Sequence, residues 1–322
     1  MTSADHSPRF AAAPFIKEIG RGVKGARSLS RDDARALYAA MLDRRVSDLE
    51  LGGILLAMRI KGESVEELAG FLDAAEDSFT RLRAPRGQAA PVVIPTYNGA
   101  RNLPNLTPLL ALLLAREGVP VLLHGVTTDP GRVTTAEVLR ELGFAPSADA
   151  AAAERAMAEG QPAFLTIDVL APKMAGLLAL RRVLGVRSST HTLVKILQPF
   201  QGPALRLTSY THPEYLTLLT EYFATAAPPE QGDAFLMRGT EGETVANPKR
   251  GQHIEWFHGG RHDTLVERDA PTDEMPPLPA DREPAVTAAW IRAALDGRQP
   301  VPAPIAVQAE HCIRVAREIA AR

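Results

Sequence analysis

The chain has 322 residues, 45% of them hydrophobic and 23% charged, and its 36 lysines and arginines against 38 aspartates and glutamates give a formal net charge of −2. That is enough apolar material for one large domain or two smaller ones, and no stretch approaches the roughly 18 to 20 apolar residues that spanning a bilayer needs. Cys312 is the only cysteine, which excludes an intrachain disulfide and a cysteine-rich zinc site. The opening MTSADHSPRF lacks the basic-then-apolar pattern of a signal peptide, so the expected address is the cytoplasm, with no membrane partner.

Residues 15 to 80 read as a run of helices. In LSRDDARALYAAML, Ser30 serves as N-cap with acids in the first turn; SDLELGGILLAMRIKG opens at Ser47 or Asp48 and closes at Gly62; SVEELAGFLDAAEDSF has Ser64 and Glu67 spaced as a capping box. Residues 9 to 31 are also basic, with Arg9, Lys17, Arg21, Lys24, Arg27 and Arg31 against Glu18 alone.

From about Ala84 the texture changes. PVVIP and VPVLLHG are short strand-like runs separated by the helical NLTPLLALLLAREG; TTAEVLRELG is a capped helix, and AFLTIDVLAP and GDAFLMRG are further strands. Alternating strands and helices predict an α/β fold with a mainly parallel sheet and a smaller helical domain beside it. The expected boundaries are 1–82 for the helical domain, joined by a helical insertion near 172–200, and 83–322 for the α/β domain. KMAGLLALRRVLG is strongly helical and lies in a stretch, 169–213, that contains Lys173, Arg181, Arg182, Arg187, Lys195 and Arg206 but no acid. At the rate of 38 acids in 322 residues, about five would be expected there. From Glu214 onward 17 acids face 11 bases, so a basic and an acidic side are expected. DAPTDEMPPLPADREP reads as a surface connection, and VTAAWIRAALDG and IAVQAEHCIRVAREIAAR as closing helices.

In parallel sheets ligands sit beyond the carboxyl ends of strands, which singles out three loops: PTYNGARNLPN, HGVTTDPGR and RGTEGETVANPKRG. Together with LGGILLAMRIKGESVEELAGFLDA and RRVLGVRSS, these loops resemble those of the anthranilate phosphoribosyltransferase family, over most of the chain. The resemblance implies a nucleoside phosphorylase/phosphoribosyltransferase-like fold, and a site where phosphoribosyl diphosphate and Mg2+ meet an aromatic amine.

The reacting parts depart from that pattern. The family's G-T-G-G-D loop corresponds to PTYNG, where Tyr97 and Asn98 replace glycines and the acid is gone; glycines there let backbone amides close on a diphosphate. Asn98, Gly99, Asn105, Thr107, His124 and Gly125 remain as the remnant of a substrate pocket, but Leu123 replaces the lysine and Val126 the asparagine of K-H-G-N-R. Setting RGTEGETV on the family's D-G-x-D-E places Thr244 and Val245 on the metal-binding acids, leaving Glu241 and Glu243 as weak magnesium candidates. No intact catalytic residue and no cofactor are expected. Mg2+ enters only if the chain is a divergent, phosphoribosyl diphosphate-dependent transferase, which is the alternative reading.

The retained framework with YNGARNLPNLTPLLALLLAREGVPVLLHG and HTLVKILQPF is similar to the YbiB branch of the family, which implies a homodimer that binds nucleic acid with little sequence preference. The bases expected to grip phosphates are Lys17, Arg21, Lys24, Arg27, Lys173, Arg181, Arg182, Arg187, Lys195, Lys249 and Arg250, with DNA favoured over RNA. Arg181 and Arg187 have a second reading as remnants of the anthranilate pocket, now pairing with carboxylates or capping a turn. Tyr97, Tyr210 and Trp256 are the aromatics available for base stacking. His191 reads as a packing residue, and His253, His258 and His262, spaced five and four apart around Gly259 and Gly260, do not read as a metal site. A phosphorylated small molecule is the remaining partner considered.

Overall fold

The computed structural model describes residues 8–22, 24–267 and 277–322. They form two compact units, one of residues 1–80 and 171–197 and one of 81–170 and 198–322.

The first unit is helical, and its helix starts are set by side chains that satisfy the free N–H groups of a first turn. Ser30 caps Arg31–Leu42, Ser47 rather than Asp48 caps Asp48–Lys61, and Ser64 caps Val65–Asp77, the last two as full capping boxes with Glu50 and Glu67. Glu67 is fully buried and also accepts from Leu29 N–H at 2.9 Å and Lys61 Nζ at 2.6 Å, so one carboxylate closes a helix end and anchors the preceding loop. Helices 31–42 and 65–77 cross closely: a Cβ on Gly70 would lie 2.2 Å from the Arg31 carbonyl oxygen. Tyr38 stacks on Phe71 at 5.0 Å between centroids, and its hydroxyl meets Thr190 Oγ1 at 2.9 Å. That buried bond ties the returning segment to the first 80 residues. This segment carries helices Pro172–Ala179, Arg181–Leu184 and Thr190–Leu193, the second ended by Gly185 in the left-handed conformation.

The second unit is built on a seven-stranded sheet: β1 (Val92–Thr96), β2 (Val121–Gly125), β3 (Ala163–Thr166), β4 (Ala204–Tyr210), β5 (Gly232–Arg238), β6 (Ile254–His258) and β7 (Arg261–Val266). The order is β3-β2-β1-β4-β5-β6-β7, with β1 to β5 parallel and β6 and β7 antiparallel. The expected α/β class with a mainly parallel sheet is what folds. Because the chain runs outward from β1 to β3 and then restarts on the other side with β4, the switch point lies between β1 and β4, where open α/β sheets form their ligand crevice.

Two elements differ from the sequence reading, and a third was given no element there. AFLTIDVLAP is a four-residue strand followed at once by helix Ile167–Leu170. The histidine-containing stretch 253–262 is a hairpin turning at Gly259 and Gly260, with His258 Nε2 at 2.6 Å from Asp263 and both His253 and His262 on Glu255. Finally, β4 lies in the acid-free run, and its Arg206 is no surface cation. It is 2% exposed, donates to Gln231 Oε1 at 3.1 Å and sits 5.5 Å from the centroid of the Phe223 ring. Part of the expected surface connection, residues 269–276, lies outside the described residues.

Candidate functional site

The carboxyl ends of β1, β4 and β5 bring the sequence-marked loops 97–103 and 239–243 together at the switch point, and the contact between them is made by two glutamates. Glu243, buried, places Oε1 at 2.9 Å from Asn98 N and 2.7 Å from Gly99 N. Glu241 accepts from the amides of Arg101 (2.7 Å), Asn102 (3.0 Å) and Leu103 (3.2 Å) and from Asn102 Nδ2 (2.7 Å). Successive backbone N–H groups turned to one side form an anion cradle. Here the chain's own carboxylates fill it.

The loop geometry enforces this filling. Gly242 has φ of 98°, and a Cβ there would fall 2.2 Å from Asn98 Nδ2, so only glycine lets the turn reach over. Its carbonyl receives Asn98 Nδ2 at 2.6 Å and Ser209 Oγ at 3.1 Å, while Arg132 Nη1 bonds the carbonyls of Gly99 and Glu241. Burial works against the charge of Glu241, but the amides of Asn102, Arg101 and Leu103 outweigh it and hold the carboxyl below its ordinary value. In this arrangement both oxygens of Glu241 and Oε1 of Glu243, the weak magnesium candidates, accept from backbone N–H groups. Among the described residues no group of three or more His, Cys, Asp or Glu is arranged to hold a metal.

The remaining pocket residues are partly satisfied from within, with Thr107 Oγ1 left buried and unpartnered among the described residues. Asn105 Oδ1 accepts from Thr107 N at 3.2 Å, taking the helix N-terminus that a phosphate would use, and its Nδ2 reaches Val133 O and Thr135 Oγ1. Gly125 is retained because a Cβ there would lie 1.8 Å from the Thr96 carbonyl oxygen of the adjacent strand. His124 is buried; burial pushes its imidazole down to about 3, so the ring is neutral. Burial, then the charge of Asp168, pushes the Tyr97 phenol up, so Tyr97 keeps its proton and donates to His124 Nδ1 at 2.8 Å. That leaves Nε2–H of His124 as a buried donor without a partner among the described residues.

The sequence-marked cations divide between the units. On the helical unit Lys173 is tied to Asp43 at 2.7 Å and Arg21 to Glu18 at 2.7 Å, while Lys24 and Arg27 are exposed. Arg181, Arg182 and Arg187 are exposed, and Arg187, Arg181 and Lys195 gather around His191. Its imidazole is pushed down to about 4, by burial first and then by those charges. Lys249 and Arg250 stand on the α/β unit, on a turn where Asn247 Oδ1 accepts from Lys249 N at 2.9 Å. Of the expected stacking aromatics, Tyr97 is engaged by His124, and Trp256 is buried with its Nε1 on Asp233 at 2.8 Å. Arg132, Asn102, Ser209 and Arg238 escaped the sequence reading, because their roles depend on which loop lies opposite; for Arg238 the place just before the GTEG turn was the available signal.

The comparisons with known proteins agree with this architecture. Residues 13–79 match the glycosyl transferase family, helical bundle domain. The uncharacterized protein YbiB of Escherichia coli strain K12 is 44% identical, with 95% of this chain and 94% of that protein covered. An anthranilate phosphoribosyltransferase of Methylobacterium radiotolerans is 34% identical over 56% of this chain and 51% of its own. Among solved structures, anthranilate phosphoribosyltransferase from Thermus thermophilus superposes with a TM-score of 0.71 at 24% identity, covering 95% of this chain and 94% of its own. The Saccharomyces cerevisiae enzyme in complex with PRPP and Mg gives 0.70 at 14%, covering 96% and 93%. These two likenesses concern the fold.

Two outcomes follow from the filled crevice. Replacing both carboxylates (Glu241→Ala with Glu243→Ala) leaves at least five backbone amides without acceptors, a loss of about 1–3 kcal/mol for each that stays buried. Inorganic pyrophosphate should then raise the melting temperature of the variant more than that of the native chain, and equal shifts in thermal melts would contradict the cradle. For His124 the folded value of about 3 lies below the ordinary value of about 6.5, so the unfolded chain takes up the proton first as pH falls. Its contribution is complete above about pH 6.5 and is lost at about 1.4 kcal/mol per pH unit below it. Urea unfolding between pH 7.5 and 5 should show a shallower dependence in His124→Gln.

Proposed function

Because the chain belongs to the anthranilate phosphoribosyltransferase-like family, as a YbiB-like member, we propose that it keeps the family scaffold for binding nucleic acid, DNA in particular, without sequence preference. The observation that carries this reading is the gathering of Arg187, Arg181 and Lys195 around a neutral His191, with Arg182 exposed beside them, in a stretch without an acid from 169 to 213. Cations clustered in an acid-free stretch lower the free energy of a phosphate backbone by releasing its condensed counterions, which gives affinity without base readout. Lys24 and Arg27 on the same unit extend the set. With Tyr97 and Trp256 engaged internally, backbone contact is favoured over stacking, hence duplex DNA over unpaired strands.

The filled crevice supports the same reading from the other side. Phosphoribosyl transfer needs stabilisation of a departing diphosphate, and the amides and acids that would supply it are spent on each other. A divergent transferase is the second reading, favoured by Asn105, Thr107, His124 and Gly125 standing together at the strand ends. Labelled duplex titrated at several salt concentrations should bind the native chain with a steep salt dependence. The triple variant Arg181→Ala, Arg182→Ala, Arg187→Ala should lose at least tenfold in affinity and flatten the slope by about one per lost phosphate contact. Salt-independent binding, or diphosphate release from phosphoribosyl diphosphate with Mg2+ and anthranilate, would favour the transferase.

We also propose a homodimer formed through the helical unit. Helix Asp48–Lys61 exposes Leu49 (87%), Leu56 (47%) and Ile60 (61%) along a stripe interrupted by Gly52 and Gly53, above an apolar hollow of about 320 Å3 that Ile16, Ile19, Leu56 and Ile60 help to line. Large aliphatic side chains on a helix surface are costly in water, and a second copy offers the self-complementary cover that a twofold contact requires. Sedimentation of Leu56→Glu with Ile60→Glu should report a monomer where the native chain reports a dimer; an unchanged mass rules this stripe out as the interface.

A further inference from the structure

On the α/β unit, at the loop that carries Glu241, lies a polar hollow of about 230 Å3 lined by Arg238, Thr240, Asn247, Arg250 and Gln252 with Leu103, Glu241 and the backbone of two glycines. Its donors are unspent. Neither Arg238 nor Arg250 has an ion pair or side-chain hydrogen bond among the described residues, and Thr240 Oγ1 is buried without a partner. Asn247 uses its Oδ1 on Lys249 N, which leaves its amide N–H groups to give. The one carboxylate at the wall, Glu241, accepts from four donors of residues 101–103 and makes no ion pair with either arginine among the described residues.

One acceptor is equally unspent. Gln252 is 5% exposed, and its Nε2 donates to the Arg238 carbonyl at 2.7 Å, but its Oε1 has no partner among the described residues. A buried amide oxygen left without a donor costs about 1–3 kcal/mol, so an occupant that brings a hydroxyl is favoured over one that does not. Two guanidinium groups beside a hydroxyl and an amide suit an anion with three terminal oxygens and nearly two charges. The volume equals about eight waters' share of liquid, which limits the occupant to a phosphate with one small ring or chain.

We propose that this hollow is a binding site for a hydroxylated phosphomonoester of the sugar phosphate class, distinct from the filled diphosphate crevice. The phosphate is held by Arg238 and Arg250 with Thr240 and Asn247, and a sugar hydroxyl donates to Gln252 Oε1. The site does not rest on the nucleic-acid reading, whose cations lie on the helical unit, apart from Lys249 and Arg250.

Ribose 5-phosphate, inorganic phosphate and ribose serve as probes, titrated into the full chain by calorimetry and followed by thermal shift. Ribose 5-phosphate should bind saturably, inorganic phosphate at least tenfold more weakly, and ribose not at all. Arg250→Ala and Arg238→Ala, both at exposed side chains, should each weaken ribose 5-phosphate at least tenfold while the unliganded melting temperature stays unchanged; Thr240→Val should weaken both phosphates. Duplex DNA affinity of the Thr240→Val variant should equal that of the native chain. The proposal is overturned by any of three results: no saturation at 10 mM ribose 5-phosphate, binding that survives both arginine substitutions, or inorganic phosphate binding as tightly as the sugar phosphate.

Discussion

The bond of the Glu243 carboxylate to the amides of Asn98 and Gly99 fixes the two loops at the switch point of the α/β unit. It joins the loop after β5 to the loop after β1 across the end of β4, at the point where the strand order reverses. An open parallel sheet leaves its crevice there because the flanking loops diverge to opposite sides. In this chain they converge instead. Glu241 adds a second clasp one turn away, and Gly242, Asn98, Ser209 and Arg132 hold the crossing peptide from three directions.

Electrostatics decide what such a crevice does. Backbone amides aimed at one place are fixed partial positive charges, and they stabilise whichever anion reaches them with the least loss of freedom. A tethered carboxylate has given up most of its freedom on folding, so it competes with a dissolved diphosphate at a large effective concentration. The same contact engages the two acids of the loop after β5 with backbone N–H groups. The family's sheet persists around these loops, at a TM-score of 0.71 to an enzyme 24% identical.

The helical unit shows the complementary case. Its basic segment is tied to the first 80 residues by the hydroxyl contact of Tyr38 to Thr190 and by the ion pair of Lys173 with Asp43. Where a cation is structural, its partner is plain: Lys61 on Glu67, Lys173 on Asp43. Arg206 is the exception within the acid-free run, buried in β4 against Gln231 and Phe223.

The sequence alone determined what depends on neighbours in the chain. Ser30, Ser47, Ser64 and Thr134 mark helix starts because a cap is a bond across three residues, and all four are seen. The parallel core strands β1, β2 and β5 were legible as short apolar runs, and the α/β class followed from their alternation with helices. Strand β4 was hidden by the arginine at its centre, and the hairpin of β6 and β7 by polar residues on a half-exposed edge. Only the tertiary structure decided the state of the site. Glutamates 241 and 243 are followed by no motif that tells a metal ligand from an amide ligand, since a carboxylate serves either. The choice was made by residues about 140 positions away, whose N–H groups meet them only once the sheet has folded.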